Sequence, residues 1–226
     1  MRVLITGAGG FVGRHAVAGF AAGGHEAIAA DKALPPREIG QASWLTCDLL
    51  DANAVAALVA KHKPDSCLHL AGYSQVASSW SEPDLVFRSN VTATLNLLEA
   101  VRAGCPGARV LVVTTAQIYG TRPSPVPMIE DTRFAPETLY AVSKAAADQL
   151  TLLYAKRFGL HAMTVRPNNH IGPGQSHSFA VGAIAGQVRA IADGTAEPVI
   201  RTGNLESRRD FTDVRDVVRA YRLLLE

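Results

Sequence analysis

The residues Thr6-Gly7-Ala8-Gly9-Gly10-Phe11-Val12-Gly13 lie directly between a short apolar run, Val3 to Thr6, and an amphipathic stretch, Phe11 to Ala22. This order predicts a buried strand, a tight glycine turn and a helix. Gly7 suits the turn, Gly10 lets the backbone approach a pyrophosphate, and Gly13 lets the helix pack closely on the sheet. The N–H groups of the helix N-terminus would then face the phosphate charge. The spacing G-x-x-G-x-x-G also occurs in ordinary turns, so this motif alone does not distinguish a dinucleotide-binding loop from a simple turn.

Short apolar runs alternate with amphipathic stretches of helical length over most of the chain. The further predicted strands are Glu26–Ala30 with Asp31 at its end, Trp44–Cys47, Ser66–Leu70, Val110–Thr114 and Ala162–Arg166. The predicted helices after the first lie near residues 51–61, 84–103 and 137–157. This alternation predicts an α/β fold, in which a Rossmann-like, doubly wound parallel sheet has helices on both faces. Hydrophobicity is continuous within the strands, which is typical of a sheet that is buried on both sides.

The sequence changes character after Arg166, where the stretch Pro167 to Gln175 is rich in glycine, proline and asparagine. Such a composition is typical of turns. Beyond this break we predict a helix over about 178–192, a short strand at Val199–Arg201 and a closing helix from Val214. We therefore expect a nucleotide-binding domain over residues 1–166 and the beginning of a smaller α/β lobe over residues 167–226.

The composition excludes several classes of protein. The chain has 226 residues, of which 48% are hydrophobic, and a formal net charge of +2. A chain of this size can bury its own core, and so small a charge gives no reason to expect nucleic acid or an anionic membrane as a partner. An aromatic content of 6% disfavours a base-stacking surface. No apolar run is long enough for a signal peptide or a membrane span, so we expect a cytoplasmic protein.

The cysteines and histidines predict neither disulfides nor a metal site. Cys47, Cys67 and Cys105 are widely spaced and odd in number. This pattern fits a reducing compartment better than a disulfide framework or a zinc site. The histidines likewise lack the spacing of metal ligands, and we expect no bound metal.

Two acidic residues support a dinucleotide site. Asp31 lies 18 residues beyond Gly13, at the end of the second predicted strand. A carboxylate there can bind the adenosine ribose hydroxyls and would repel a 2′-phosphate, which favours NAD(H) and leaves NADP(H) possible because Lys32 is adjacent. Asp31 alone would be an ordinary turn acid. Asp48 follows the third strand, where it could accept from the adenine amino group or cap the next helix.

Three further residues predict acid–base chemistry. Tyr140 and Lys144 are spaced i and i+4, so on a helix they share one face. A free phenol has a pKa of about 10, and a neighbouring ammonium group and an oxidised nicotinamide would both lower it by favouring the phenolate. Thr115 follows the fifth strand, at the edge where α/β sheets bind ligands. The Tyr140 and Lys144 pair alone could be a coincidence on the protein surface, and Thr115 alone would usually be structural. The prediction of acid–base chemistry rests on all three residues occurring together.

These motifs together resemble the extended short-chain dehydrogenase/reductase family of the NAD-dependent epimerase/dehydratase type, which acts on nucleotide sugars. The resemblance is carried by the glycine loop, His69-Leu70-Ala71-Gly72, Thr115 with Tyr119-Gly120, and Tyr140-x-x-x-Lys144, in the family's order over essentially the whole chain. It implies that Tyr140 is the acid/base, that Lys144 tunes it and anchors the nicotinamide ribose, and that Thr115 bonds the reacting sugar oxygen. Asn90 resembles an asparagine that supports the site, although Ala93 replaces the usual glycine nearby.

The resemblance also implies the residues that bind the two ligands. Those implied for the cofactor are Gly7, Gly10, Phe11, Val12, Gly13, Asp31, Asp48, Leu49, Leu70, Ala71, Gly72, Tyr140, Lys144 and Pro167. Those implied for the nucleotide-sugar substrate are Ser74, Thr115, Asn169 and Arg209, of which Asn169 and Arg209 would contact the diphosphate. One departure concerns Asn168, which stands where the family usually has a phenylalanine near the nicotinamide.

Two stretches narrow the predicted reaction. Arg166 to Gln175 and Gly203 to Val214 resemble GDP-4-dehydro-6-deoxy-D-mannose reductases. Dehydratases place a glutamate base two residues after the catalytic threonine, whereas this chain has Gln117, a neutral amide that cannot serve as that base. The expected reaction is NAD(P)H-dependent reduction of a GDP-4-dehydro-6-deoxy-hexose to GDP-D-rhamnose or a close relative. A nucleotide-sugar 4-epimerase uses the same residues and stays an alternative, as does a catalytically silent NAD(P)-binding protein.

The resemblance has two further implications. Members of the family often dimerise through two long helices, here about 84–103 and 137–157, so we expect a homodimer. The chain stops on the helix that follows Asp213-Val214-Arg215-Asp216, where relatives continue with more of the substrate lobe. We therefore expect either a truncated chain or a shortened member with an open nucleotide-sugar site.

Overall fold

A six-stranded parallel sheet forms the centre of the protein, in the order β3-β2-β1-β4-β5-β6. The computed structural model describes residues 1–34, 41–74, 80–121 and 127–226. The strands are β1 (Arg2–Thr6), β2 (Glu26–Asp31), β3 (Ala42–Thr46), β4 (Ser66–His69), β5 (Arg109–Val113) and β6 (Ala162–Val165). β1 pairs in parallel with β2 on one side and with β4 on the other, so the strand order reverses there and opens a crevice at the carboxyl edge. The predicted doubly wound sheet is confirmed.

Helices cover both faces of the sheet. They are α1 (Phe11–Ala22), α2 (Ala52–His62), α3 (Pro83–Phe87), α4 (Ala93–Gly104), α5 (Leu139–Phe158), α6 (Ala180–Ala192) and α7 (Val214–Leu225). One buried cluster joins apolar residues of α1 and α7 to the sheet, and a second joins those of α2 and α4, with Tyr154 of α5, to the opposite face. Within the described ranges, no helix is both long and apolar enough to cross a membrane.

The predicted helix over 84–103 is interrupted at its centre. A π-helical turn, Arg88–Thr92, lies between α3 and α4. Single π turns within helices are frequent at functional sites because they redirect side chains and free backbone carbonyls. This turn carries Asn90, which is buried at 1% exposure.

Helix α5 begins early enough to carry the predicted catalytic pair in its first two turns. The Thr138 side chain accepts a hydrogen bond of 3.1 Å from Ala141 N and thereby caps the N-terminus. The helix ends at Gly159, whose φ of 69° is the left-handed conformation that glycine adopts without strain. Helix α2 is capped by Asp51 and not by Asp48, so the helix-cap interpretation of Asp48 is wrong.

The region after Arg166 differs in part from the sequence prediction. Two three-residue strands, β7 (Asn169–Ile171) and β8 (Phe211–Asp213), form a separate parallel pair. The prediction of a strand at Val199–Arg201 is wrong. The side chain of Gln187 on α6 binds both backbone groups of Arg201: it accepts from Arg201 N at 2.8 Å and donates to Arg201 O at 3.0 Å. The helix predicted over about 178–192 is confirmed as α6.

The closing helix α7 packs beside α1 on the large sheet. Val218 lies so close to Gly19 of α1 that a Cβ at Gly19 would stand 2.8 Å from Val218 Cγ1. Val214, Val217 and Tyr221 are buried in the same contact. Although α7 therefore contributes to the core of the nucleotide-binding layer, the division of the chain at residue 166 stays a prediction.

Candidate active site

The residues predicted to bind the cofactor follow the carboxyl ends of successive parallel strands, so they gather at one edge of the sheet. The glycine loop follows β1, Asp31 ends β2, Asp48 and Leu49 follow β3, Leu70 to Gly72 follow β4, Thr115 follows β5 and Pro167 follows β6. The Pro167 carbonyl accepts a bond of 3.0 Å from Ala116 N, which places it beside Thr115. The structure thus brings the predicted cofactor and catalytic segments to the same edge.

The glycine loop forms a closely packed turn. Gly7 has a φ of +68°, and a Cβ on it would lie 2.7 Å from Ala71 N. A Cβ on Gly13 would lie 2.2 Å from Gly7 O, so only glycine fits where α1 meets the turn. At the N-terminus of α1 no described side chain forms a cap, and the first turn contains no acid. Its N–H groups are therefore suited to an anion such as a pyrophosphate.

Asp31 lies directly against the glycine loop. Its Oδ2 accepts a bond of 2.9 Å from Gly9 N, and its Oδ1 accepts one of 2.7 Å from Lys32 N. Arg14 binds the carbonyl of the same residue, donating from Nε to Gly9 O at 2.8 Å. Asp48 is exposed, and its Oδ1 accepts from Leu50 N at 2.9 Å.

The segment after β4 joins the cofactor edge to the catalytic helix. A Cβ on Gly72 would lie 2.5 Å from Asn90 Oδ1 and 3.3 Å from Lys144 Nζ. A larger residue at this position would therefore displace the Asn90 side chain and crowd that of Lys144. This close approach places the predicted cofactor segment after β4 beside Lys144.

Thr115 and Tyr140 are the two hydroxyl groups predicted to act on the substrate. Thr115 is 6% and Tyr140 8% exposed, and the Thr115 hydroxyl interacts with the Tyr140 phenol. Burial raises the pKa of Tyr140 above its ordinary value, while the Thr115 bond opposes this rise. Lys144 alone therefore does not lower the pKa of this phenol below its ordinary value, because desolvation outweighs the interaction with Thr115. The expected effect of an oxidised nicotinamide stays a prediction.

Lys144 is buried at 9% exposure in the second turn of α5. Its Nζ donates to the Val113 carbonyl at 2.9 Å, which ties the catalytic helix to the end of β5. Burial lowers the pKa of Lys144 to about 8, because an ammonium group is poorly solvated there. The group can thus supply a positive charge at neutral pH while holding its proton less tightly than a surface lysine.

The stability of the protein should reveal this buried amine. The unfolded chain keeps the Lys144 proton up to its ordinary pKa of 10.5, whereas the folded chain loses it near 8. Between these values the unfolded state binds more protons, so the free energy of unfolding rises with pH. Relative to Lys144→Met, the wild-type protein should gain on the order of 3 kcal/mol from pH 8 to 10.5, measured by urea unfolding. Parallel pH profiles for the two proteins would contradict this assignment.

Asn90 lies between the segment after β4 and the first turn of α5. Its Oδ1 accepts from Tyr73 N at 2.8 Å, and its Nδ2 donates to Ser143 Oγ at 2.8 Å. Ser143 Oγ donates in turn to the Tyr140 carbonyl at 2.8 Å. A single amide therefore connects the backbone beside Gly72 with the first turn of α5.

An ion pair that sequence reasoning missed lies behind the catalytic residues. Arg166 donates to Asp148 at 2.9 Å from Nε and 2.8 Å from a terminal nitrogen, which is a bidentate geometry. Thr114 Oγ1 also donates to Asp148, at 3.2 Å. Arg166 further donates to Tyr119 Oη at 2.9 Å. The only available signal was that Asp148 stands one helical turn after Lys144, on the same face of the predicted helix.

The predicted substrate residues are only partly assembled. Asn169 binds the Asp210 carbonyl through its backbone N–H at 3.2 Å and its side chain at 3.3 Å, which brings it next to Arg209 along the chain. Arg209 is exposed and donates to the Arg208 carbonyl at 2.7 Å. Ser74 is exposed, and it is the last residue of the described range 41–74. Asn168, at the position of the family's phenylalanine, donates to the Asp210 carboxylate at 2.8 Å.

Comparisons with known proteins agree with this geometry. The NAD dependent epimerase/dehydratase family matches residues 3–226. The GDP-6-deoxy-D-mannose reductase of Pseudomonas aeruginosa is 34% identical over 225 residues, which cover 99% of this chain and 70% of the relative. The structure of RMD from Pseudomonas aeruginosa complexed with NADPH has 34% identity and a TM-score of 0.84, over 99% of this chain and 73% of that one. The UDP-glucose 4-epimerase of Thermus thermophilus in complex with NAD has 32% identity and a TM-score of 0.87, over 100% of this chain and 74% of that one.

Proposed function

The chain belongs to the NAD dependent epimerase/dehydratase family, and we propose that it reduces the 4-keto group of a GDP-4-dehydro-6-deoxy-hexose, giving GDP-D-rhamnose or a close relative. The observation that carries the proposal is the burial of Thr115 and Tyr140 at the carboxyl edge of the sheet, where the Thr115 hydroxyl interacts with the Tyr140 phenol, with Lys144 on the next turn of the same helix. The similarity to a GDP-6-deoxy-D-mannose reductase over nearly the whole chain supports this choice of substrate.

The residues present fit a nicotinamide dinucleotide. The glycine turn leaves room for backbone contact only, the α1 N-terminus faces it, and Asp31 stands beside it. Gly72 keeps the backbone beside Lys144 open for the nicotinamide ribose. When bound, the reduced cofactor supplies the hydride for carbon 4 of the sugar.

Tyr140 and Thr115 act on the oxygen of the reacting ketone. Thr115 donates a hydrogen bond that orients this oxygen, and Tyr140 transfers its phenolic proton to the developing alkoxide. Reduction requires a phenol that is protonated at the start, and the raised pKa of Tyr140 meets this requirement. The Lys144 ammonium then stabilises the phenolate that remains.

The residue at position 117 argues against a dehydratase. Gln117 is exposed two positions after Thr115, in the short 3₁₀ turn Ala116–Tyr119. Its neutral amide has no basic site that could take a proton from carbon 5 of the sugar. We therefore assign hydride transfer without elimination to this site.

A 4-epimerase is the second candidate, because a UDP-glucose 4-epimerase shares this fold at a TM-score of 0.87. An epimerase returns its cofactor to the starting oxidation state, whereas a reductase consumes it. Incubation of the purified protein with GDP-4-dehydro-6-deoxymannose and NADH or NADPH, followed by separation of the sugar nucleotides, should give a 4-hydroxy product. Interconversion of a UDP- or GDP-hexose without net cofactor oxidation would instead establish the epimerase.

Asp31 should set the preference between the two cofactors. Its carboxylate suits the 2′- and 3′-hydroxyls of NADH and repels the 2′-phosphate of NADPH. In Asp31→Asn the ratio of the Kd for NADPH to that for NADH should fall about tenfold, since a lost charge repulsion of this kind corresponds to about 1.4 kcal/mol. Titration calorimetry measures both constants. Asp48→Asn is the matched control and should leave the ratio unchanged, and an unchanged ratio in Asp31→Asn would contradict the assignment.

We also propose that the protein is a homodimer formed through α3, α4 and α5. The exposed apolar side chains on these helices include Leu85, Phe87, Val142 and Leu153, the last at 57% exposure. Leu153→Lys should convert a dimer to a monomer in sedimentation equilibrium, because a buried ammonium at such a contact is costly. Leu223→Lys, on an exposed leucine of α7, is the control that should stay dimeric. A wild-type protein that sediments as a monomer would exclude the dimer.

A further inference from the structure

A chain of polar side chains runs through the interior from β1 to α5. Its members are Thr6, His69, Thr94, Asn90 and Ser143, and we call it the buried chain. Each member is at most 2% exposed. Buried polar groups are costly unless they are hydrogen-bonded, so a connected series of this length has to be satisfied throughout.

His69 is the second member of the buried chain, and each of its ring nitrogens makes one hydrogen bond. Its Nδ1 lies 2.7 Å from Thr6 Oγ1, and its Nε2 lies 3.1 Å from Thr94 Oγ1. Thr94 Oγ1 donates to the Asn90 carbonyl at 2.6 Å. Two strands and the π turn are thus joined by one imidazole ring.

The direction of each bond follows from counting protons. Thr94 has one hydroxyl proton, which it gives to the Asn90 carbonyl, so it can only accept from His69. Nε2 must therefore carry the imidazole proton. Burial, together with the charge of Lys144, lowers the pKa of His69 to about 3, so the ring is neutral and Nδ1 accepts from Thr6. The hydrogen bonds therefore determine the tautomer. In the Nδ1–H tautomer, Nε2 and Thr94 Oγ1 would be two acceptors facing each other with no proton between them.

The far end of the buried chain reaches both halves of the active site. Asn90 accepts from Tyr73 N, next to Gly72, where an added Cβ would lie 3.3 Å from Lys144 Nζ. Through Ser143 it also connects to the carbonyl of Tyr140. The position of Asn90 therefore sets the distance between the segment Leu70–Tyr73 and the first turn of α5.

We propose that His69 is a positioning residue for the reaction: by donating from Nε2 to Thr94 it holds Asn90, and through Asn90 it aligns Leu70–Tyr73 with Tyr140. The inference rests on the proposed function, because it concerns the same acid/base and the same cofactor segment. His69 immediately precedes Leu70 in the chain, but its ring is hydrogen-bonded to Thr6 and Thr94 and not to Tyr140, so its proposed effect on the acid/base is indirect.

Two substitutions at His69 separate the two contacts of the ring. His69→Gln places a donor near the position of Nε2 and loses the acceptor for Thr6, whereas His69→Asn keeps an acceptor near Nδ1 and loses the donor to Thr94. We expect kcat to fall about tenfold or more in His69→Asn, because small misplacements of a reacting group have effects of this size, and to stay within about threefold in His69→Gln. The Kd for NADH and the urea midpoint are measured alongside. Equal kcat values in the two variants would overturn the proposal.

A second pair of variants decides the matter if either His69 variant does not fold. Thr94→Val removes the hydroxyl that links His69 to Asn90, and Thr94→Ser retains it. The proposal predicts a fall in kcat of about tenfold for Thr94→Val and a near-normal kcat for Thr94→Ser. Normal turnover by Thr94→Val would overturn it.

Nuclear magnetic resonance gives a readout that does not depend on turnover. With ¹⁵N-labelled histidine, the wild-type protein should show His69 as the neutral Nε2–H tautomer, without titration between pH 5 and 9. An Nδ1–H tautomer, or an imidazole that titrates in this range, would overturn the hydrogen-bond directions on which the proposal for His69 depends. An inactive wild-type protein with the expected tautomer would overturn the proposed function alone, so the two failures are distinguishable.

Discussion

Tyr140→Phe is expected to lower kcat for the keto sugar by a factor on the order of 10³ while leaving the Kd for NADH within about threefold of the wild-type value. The substitution removes the phenolic hydroxyl, which interacts with Thr115, and keeps the ring that packs in the first turn of α5. The alkoxide that develops during reduction would then have no proton donor of its own in the site. Stopped-flow absorbance of NADH measures kcat, and fluorescence titration measures the Kd.

A matched control lies on the same helix. Tyr154 is also buried, and its phenol donates to Glu99 Oε1 at 2.5 Å, three to four turns away from Tyr140. Tyr154→Phe should therefore retain kcat within about twofold, since it removes a phenol that does not face the site. Retention of turnover by Tyr140→Phe would contradict its role as the acid. Loss of NADH binding in that variant would show instead that the phenol is needed for the cofactor.

Asp148→Asn is expected to lower the free energy of unfolding by about 3–5 kcal/mol, which is the usual effect of leaving one partner of a buried ion pair alone. The Asp148 side chain is fully buried, and that of Arg166 is 14% exposed. Asp148 raises the pKa of Arg166, so this guanidinium stays charged in the variant and loses its carboxylate partner. Urea unfolding at neutral pH, followed by circular dichroism, measures the difference.

A surface ion pair provides the comparison for this substitution. Asp193 pairs with Arg189 at 2.6 Å on α6, where the two side chains are 45% and 79% exposed. Asp193→Asn should change the free energy of unfolding by less than about 1 kcal/mol, because exposed pairs are screened by water and salt. An equally small effect of Asp148→Asn would show that Arg166 finds other partners, and that the ion pair does not hold β6 to α5.

The central sheet could be predicted because its physical signal is local. Most of its strands are short apolar runs, and β1, β3, β4 and β5 are each followed by a stretch that forms helix, so a parallel α/β sheet follows from one pattern. The pair β7 and β8 could not be predicted in this way. Each has three residues, and the partners Asn169 and Phe211 are 42 positions apart. Val199–Arg201 has the sequence character of a strand. In the structure, however, the side chain of Gln187 takes the place of a neighbouring strand as the hydrogen-bond partner of Arg201.

The same distinction applies to the site. Tyr140 and Lys144 share a helix face, and Thr115 ends a strand, so local spacing predicts all three. The contacts that hold them are not local. His69 meets Thr94 across 25 positions and Arg166 meets Asp148 across 18, and both pairings depend on how helices cross the sheet. Local spacing also missed the effect of burial on Tyr140, because desolvation depends on the whole surrounding fold.

The most direct test of the account is to mix the purified protein with GDP-4-dehydro-6-deoxymannose and to follow the absorbance of NADH and, separately, of NADPH. We predict that one mole of reduced cofactor is oxidised for each mole of sugar reduced, with at least one of the two cofactors. Tyr140→Phe should give no comparable decrease in absorbance. The absence of substrate-dependent oxidation by the wild-type protein with either cofactor would contradict the proposed reductase.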